Sequence, residues 1–210
     1  MLEKYPKTFH LPWSPGKTKD DRTLFDLENF KNKIVVMTEK MDGENTSMTR
    51  EKIWHRSLDS FSGHFSRHYV NRIHGNIKSL IPENIRICGE NLHYQKSIKY
   101  DNLKDFFLVF SIWENNICLS LDDTKRLCSY FGLTFVPIFK IFLWDEEEIL
   151  HVQNDLNFEK TEGYVIRLFD SFKFEDFNKS VVKYVRKHHV QTDEHWMNNK
   201  NLKKNLLEKI

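Results

Sequence analysis

Four charged residues carry the chemistry this chain has to offer: Lys40, Glu90, Glu162 and Lys183. Each sits on, or at one end of, an apolar run that reads as a strand. Lys40 follows Val35-Val36-Met37-Thr38-Glu39 and leads into Met41-Asp42-Gly43-Glu44-Asn45. Glu90 follows Gly89 after Ile85-Arg86-Ile87-Cys88, Glu162 precedes Gly163-Tyr164-Val165-Ile166, and Lys183 lies inside Val181 to Val185. Lysine is almost never buried without a partner. Lys40, delivered into a turn ringed by carboxylates and amides, is therefore either a paired structural cation or an activated nucleophile. The second reading needs what the other three positions supply. A lysine that attacks phosphorus must first lose a proton, which a metal ion or a second lysine nearby promotes. Two carboxylates hold Mg²⁺ or Mn²⁺ through oxygen, and the ion offsets phosphate charge. Glycine beside a charge lets the backbone come close to a nucleotide. Each short motif is weak by itself; order and spacing give the set its meaning.

The elements that must position these residues follow from periodicity. Residues 33 to 38 and 44 to 58 read as strands around the Lys40 turn, with period-two alternation. From Phe65 to Leu80 the period turns helical, and Pro82 stops the run. The opposite face carries Arg67, His68, Arg72 and Lys78. Strands follow at Ile85 to Glu90 and Phe106 to Trp113. Ser120-Leu121-Asp122-Asp123 opens a helix with a capping-box pattern, and Gly132 closes it. Leu133 to Leu143 is strand-like, Asp145 to His151 a short acidic helix, and 162–168 and 180–185 are two more strands. The apolar set Trp196, Leu202, Leu206 and Ile210 predicts a last helix from about Asp193. Strands outnumber helices and rarely alternate with them. The expectation is α+β, with two mainly antiparallel sheets and flanking helices. One domain covers 1–190, N-terminal arm included, and 191–210 form a helical tail.

Composition narrows the class. The 210 residues include 17 Phe against only 7 Gly and 5 Pro, which excludes disorder and low complexity. A net charge of +2 does not mark a nucleic-acid binder, so local clusters must carry any such claim. Cys88, Cys118 and Cys128 form no CxxC pair, which points away from zinc and disulfides and toward a reducing interior. The apolar stretches at 106–113 and 133–144 are too short to span a bilayer, and the start of the chain has no signal-peptide core. The expectation is a soluble, intracellular protein with no membrane partner. His188, His189, Asp193 and His195 cluster in sequence but match no zinc spacing.

In order and spacing the motifs resemble the covalent nucleotidyltransferase superfamily, which comprises polynucleotide ligases and mRNA capping enzymes. Lys40-Met41-Asp42-Gly43 matches its KxDG motif and Arg56-Ser57 the strand after it. Gly89-Glu90-Asn91-Leu92, with its Ser97-Ile98-Lys99-Tyr100 tail, matches the Gly-Glu motif in its RNA-ligase form. Phe106 to Trp113 matches the aromatic strand, Glu162 to Arg167 the Glu-Gly-x-Val-x-Arg motif, and Lys183 the last lysine. Asn45, five residues after Lys40, is similar to ATP-dependent RNA ligases in particular. The resemblance implies ATP as substrate, Mg²⁺ or Mn²⁺ as cofactor, and nicked or single-stranded RNA ends as partners. It further implies a lysyl-AMP on Lys40, Glu39 at the adenine edge and Phe110 stacked on the ring. Arg56, Asn45 and Glu90 would handle ribose, phosphate and metal, with Glu90 and Glu162 as metal carboxylates. Lys183 would contact the α-phosphate, and Asp42 and Gly43 would shape the turn. His10 (on the arm Thr8 to Trp13), Arg167 and Lys187 complete the candidate set. Val185 stands where ligases often have a second lysine. No OB-fold domain fits into the residues after Lys187. The resemblance therefore implies a minimal ligase, a piece of a longer one, or a module completed by a partner protein or domain. Rival readings are a capping-type guanylyltransferase, a DNA ligase module, and a non-catalytic nucleotide- or RNA-binding module.

Overall fold

The structure, a computed structural model, describes residues 4–55, 63–187 and 202–209. Arg56 and the His188 to His195 cluster lie outside these residues. Two sheets build the fold. The strands are β1 (Phe9–His10), β2 (Ile34–Glu39), β3 (Glu44–Met48), β4 (Ile53–His55), β5 (Ile85–Asn91), β6 (Phe107–Glu114), β7 (Ile117–Cys118), β8 (Thr134–Phe135), β9 (Ile138–Leu143), β10 (Gly163–Leu168), β11 (Phe172–Lys173) and β12 (Val181–Val185). The helices are α1 (His68–Ile77), α2 (Leu121–Phe131), α3 (Glu146–Asp155) and α4 (Phe177–Ser180). One sheet runs β1-β12-β10-β2-β9, the other β11-β7-β6-β5-β3-β4, with β8 beside β6. Pairing is antiparallel except for β1 with β12 and β8 with β6. The α+β expectation is met.

The apolar residues between the sheets join them into one core. Cys88, Trp113 and Cys118 of the larger sheet share a cluster with Val35, Ile166 and Val182 of the smaller. A second cluster seats α1 and α2 on the larger sheet through Val70, Ile77, Cys128 and Phe131. The helix ends follow their sequence signals. Ser120 Oγ accepts from the Asp123 amide, and Gly132 takes a left-handed φ of 65°. Asp145 caps α3 by accepting from the Glu147 and Glu148 amides.

Three local expectations change. Residues 44–55 form a hairpin, because Thr49 to Lys52 turn between β3 and β4. Leu133 to Leu143 splits into β8 and β9 around Pro137, which has no amide to continue a ladder. The predicted C-terminal helix is overturned for 202–209. These residues run extended as a strap, bridging Tyr94 to Lys204 and Leu103 to Leu207. Its hub is the buried Asn205, whose side chain donates to Leu92 O at 2.7 Å and accepts from the Tyr100 amide at 2.9 Å. Asparagine favours such backbone mimicry over a helix interior, and the two bonds outweigh the helical spacing of Leu202 and Leu206.

Candidate active site

Sheet register explains why residues far apart in sequence meet. β2 and β10 pair with Glu39 opposite Tyr164. The next residue, Lys40, then donates its amide to Gly163 O at 3.0 Å, and its side chain reaches Glu162. The Lys40 Nζ donates to Glu162 Oε2 at 2.6 Å. Gly163 has φ 154°, and a Cβ there would lie 2.0 Å from Tyr184 O. Only glycine lets β10 start this close to β12. On β12, Lys183 stands opposite Val165, which in turn faces Thr38. Residues directly paired share a face, so Lys183 and Lys40 occupy the same side of the sheet, a side that alternation also gives to Thr38.

The larger sheet supplies the facing groups. Asn45 on β3 pairs with Glu90 on β5, so both project to one side. Gly43 lets the turn sit directly on this strand, since a Cβ there would meet Asn91 O at 2.5 Å and the Glu90 side chain at 2.6 Å. Asp42 is pinned by the loop after β5. Its Oδ2 accepts from the Ser97 amide at 2.7 Å and the Ile98 amide at 2.8 Å, and its own amide donates to the Tyr100 hydroxyl at 2.9 Å. From the same loop, Lys96 donates to the Gly43 carbonyl.

The electrostatics follow from this crowding. Burial pushes the Glu90 carboxyl up to about 7, against the pull of Lys96 and Lys40. Burial likewise raises Asp42, with the Glu162 charge adding to it. Burial alone would depress the Lys40 ammonium, but Glu162, with Glu90 and Asp42 behind it, outweighs that and raises its pKa. Burial lowers Lys96 and Lys183. Burial also pushes Glu39 up to about 7, with a hydrogen bond to Thr161 working the other way. Lys40 is therefore held as a charged cation, paired with Glu162 and close to carboxyls that burial pushes up.

The other sequence candidates have distinct surroundings. His10 sits on β1 opposite Lys183. Its Nδ1 lies 2.8 Å from Ser14 Oγ and its Nε2 3.5 Å from Asp21 Oδ2, while Asp21 Oδ1 is 3.4 Å from Lys183 Nζ. Burial, reinforced by Lys183, pushes His10 down to about 4. The N-terminal arm thus lies along the last strand of the site. Phe110 is the extra residue of a bulge, since Cys88 pairs with Ser111 and Gly89 with Val109. Half-buried, its ring meets Tyr5 edge-on at 5.2 Å. Arg167 is not brought to Lys40: buried, it donates to Leu119 O and Leu168 O and lies over Phe172. Lys187 is exposed in a turn past β12. Arg67, read from sequence as a surface cation, is buried and makes a two-pronged contact with Glu44, at 3.0 and 2.5 Å. Helical spacing put it on the charged face, but it belongs to the short 3₁₀ turn before α1.

Sequence reasoning missed Lys96, Asp21, Tyr100 and Thr161 as neighbours of the site. Lys96 had a usable signal, a lysine inside the Gly-Glu segment; Asp21 sat in a basic arm with none. Among the described residues, no three His, Cys, Asp or Glu side chains are close enough together to hold a metal by themselves. Mg²⁺ fits such a site, because it binds through one or two carboxylates together with nucleotide phosphates and water.

The two sheets, with a lysine–carboxylate centre on their strand ends, have nucleotidyltransferase architecture. A family model for RNA ligases matches residues 33–185, and the chain belongs to the RNA ligase family. No curated protein matches by sequence. Among solved structures, an archaeal ATP-dependent RNA ligase is similar at TM-score 0.60 and 18% identity, over 88% of this chain and 48% of that one. A mutant of Naegleria gruberi RNA ligase with ATP and Mn is similar at 0.53 and 18%, over 76% and 52%. A putative ATP-dependent DNA ligase from Aquifex aeolicus is similar at 0.50 and 19%, over 76% and 46%. The chain thus spans about half the length of these solved relatives. Among the described residues, no helix is long and apolar enough to cross a membrane.

Proposed function

We propose that this chain is the adenylyl-transfer unit of an ATP-dependent RNA ligase acting on nicked or single-stranded RNA ends, with Lys40 as its nucleophile. The observation that carries the reading is the placement of Lys40 2.6 Å from Glu162, on the sheet face that also presents Lys183. In the first step Lys40 Nζ releases a proton to water and attacks the α-phosphorus of ATP. A P–N bond forms and pyrophosphate leaves. In the second, the AMP passes to the 5′-phosphate oxygen of an RNA end and frees Lys40. In the third, a 3′-hydroxyl attacks that phosphate and AMP departs. Family membership and the ATP- and Mn-bound relative support this sequence.

The residues divide the work by position. Glu162 holds Lys40 at the strand end and accepts its hydrogen bond. Lys183 presents a charge on the same face, kept in place by Asp21, and suits the α-phosphate. Asp42, tied to two amides, keeps the turn closed. Glu90 and Glu162 would hold a divalent ion, which when bound supplies charge against the departing pyrophosphate. Asn45 and Glu39 fit the ribose and adenine edge, and Phe110, aimed by its bulge, fits the ring. Arg56 fits the ribose by motif position. His10 acts through Asp21 on Lys183.

Mass spectrometry after incubation with ATP and Mg²⁺ tests the reading. A gain of ~329 Da on the peptide holding Lys40 is expected, as for any covalent nucleophile that retains AMP. A GMP adduct from GTP instead would move the chain to the capping class. Absence of any adduct would leave only a binding module, and an adduct that persists in Lys40→Ala would refute covalent catalysis at this residue.

A further inference from the structure

The segment that carries Glu90 continues into a second feature that adenylyl transfer does not use. Three and four residues on stand His93 and Tyr94, with ring centroids 4.7 Å apart. Tyr94 meets Phe65 edge-on at 5.3 Å, and His93 lies 5.4 Å from Tyr69. Phe65 is 41% exposed, and the other three are half-buried. Neither Phe65 nor Tyr94 belongs to a core cluster. Two cations stand over these rings: the Arg72 guanidinium 5.2 Å from the Tyr69 centroid, and Lys204 Nζ 5.9 Å from that of Tyr94. After burial, the charges of Lys204, Arg72 and His68 all push His93 down, which marks one positive field around it.

The patch is joined to the lysine centre by short links. Asn91, next to Glu90, donates its side-chain amide to Ser66 O at 3.1 Å and so fixes the turn that carries Phe65. Two residues beyond Tyr94, Lys96 reaches the Gly43 carbonyl. Three separate parts of the chain, the helix α1, the loop after β5 and the C-terminal strap, contribute to it. A packing cluster alone would not gather half-buried aromatics beneath cations and beside the exposed Phe65. Aromatic faces that take bases, flanked by charges that take phosphates, are how single strands are held without sequence preference.

We propose that this surface is a stacking platform for a single-stranded RNA end. Bases next to the reacting end stack on Phe65 and Tyr94, and Arg72 and Lys204 meet the backbone phosphates. The proposal rests on the RNA ligase reading above and adds to it the form of the substrate, an unpaired strand beside the lysine.

The test uses the full chain and a 5′-phosphorylated single-stranded RNA carrying 2-aminopurine near the 5′ end. Wild type is expected to bind it and quench its fluorescence. Phe65→Leu with Tyr94→Leu is expected to weaken binding by about tenfold per stacked base and to abolish the quenching. Tyr94→Trp keeps both. ATP-dependent adduct formation on Lys40 stays at the wild-type level in all of them. Arg72→Gln with Lys204→Gln is expected to lower the slope of log affinity against log salt by about 1.4, about 0.7 for each phosphate contact on a single strand. This pair, at exposed positions, decides the matter if the double leucine variant does not fold. Equal affinity and quenching in wild type and the leucine variant, or an unchanged salt slope in the glutamine variant, would overturn the platform. Wild type that forms the adduct but does not bind the RNA overturns the platform and leaves adenylyl transfer standing. RNA binding with quenching but no adduct sinks the Lys40 reading while the stacking surface stands.

Discussion

Two buried ion pairs lie within one strand turn of each other and are built in opposite ways. Glu44 on β3 is gripped by Arg67 through two nitrogens, and both side chains are under 7% exposed. His55 closes the third side at 3.5 Å. One residue along, Asn45 turns to the other face with Glu90, where Lys40 meets Glu162 through a single contact and keeps 24% of its side chain exposed. The first pair is planar, bidentate and sealed, which suits a permanent charge that cannot be deprotonated. The second uses a lysine, whose proton can leave, and holds it by one bond at an open edge. The contrast sets a sealed pair on one face of the strand against a singly held, partly open pair on the other.

The comparison breaks first at its reactive member. Lys40→Ala is expected to abolish the adduct and to cost less stability than Arg67→Ala, since the Lys40 site is partly open. Lys40→Arg, which keeps the pair but supplies no nucleophile, is expected to do the same by mass spectrometry. An arginine variant that still takes up AMP would show that the two pairs do not differ in kind. The sealed pair gives the opposite pattern. Arg67→Ala leaves Glu44 buried and unpaired, and should cost about 3–5 kcal/mol in denaturant unfolding. Any loss of adduct should disappear once unfolded protein is accounted for.

Glu162→Gln sharpens the contrast, since it keeps the shape and removes the charge. Adduct formation is expected to fall about 10²-fold. Stability should change less than in Arg67→Ala, because the glutamine oxygen still accepts from Lys40 and the lysine keeps 24% of its side chain exposed. Single-turnover kinetics beside a thermal melt would measure both. The smallest effect is in pH. Glu90 and Glu39 both sit near 7 because burial penalises their charged forms. Adduct formation should therefore rise with pH through about 7, and Glu90→Gln should remove part of that limb. The sign for stability runs the other way. Between the ordinary glutamate range and 7 the folded state binds more protons than the unfolded one, so stability falls as pH rises. Glu90→Gln is expected to stabilise the protein more at pH 8 than at pH 5.

Much of the site was legible because it rides on strand ends. Lys40, Glu90, Glu162 and Lys183 each interrupt an apolar run, and antiparallel pairing brings such ends together whatever their separation in sequence. The sheets and the caps at Ser120 and Gly132 could be read for the same local reasons. What could not be read were contacts made by loops. Asp21 reaches Lys183 through a turn fixed by its bonds to the Thr18 amide and hydroxyl, and nothing in that basic arm singles it out. Arg67 looked solvated because a helical wheel ignores the 3₁₀ turn that rotates it inward. Leu202 and Leu206 had helical spacing, yet the backbone partners of Asn205 lie more than a hundred residues earlier, where periodicity carries no information.

That strap has a consequence for the order in which the molecule comes into being. Leu92 and Asn205 are 113 positions apart, and the loop that Asn205 fastens is the one whose amides hold Asp42. β1 likewise waits for β12. Contacts this distant form late and slowly, and on the ribosome they form only after the distal residues have emerged. A nascent chain therefore already carries Lys40 but has neither the clamp over its turn nor the strand that bears Lys183. The candidate centre is complete only once the distal residues have folded back onto it.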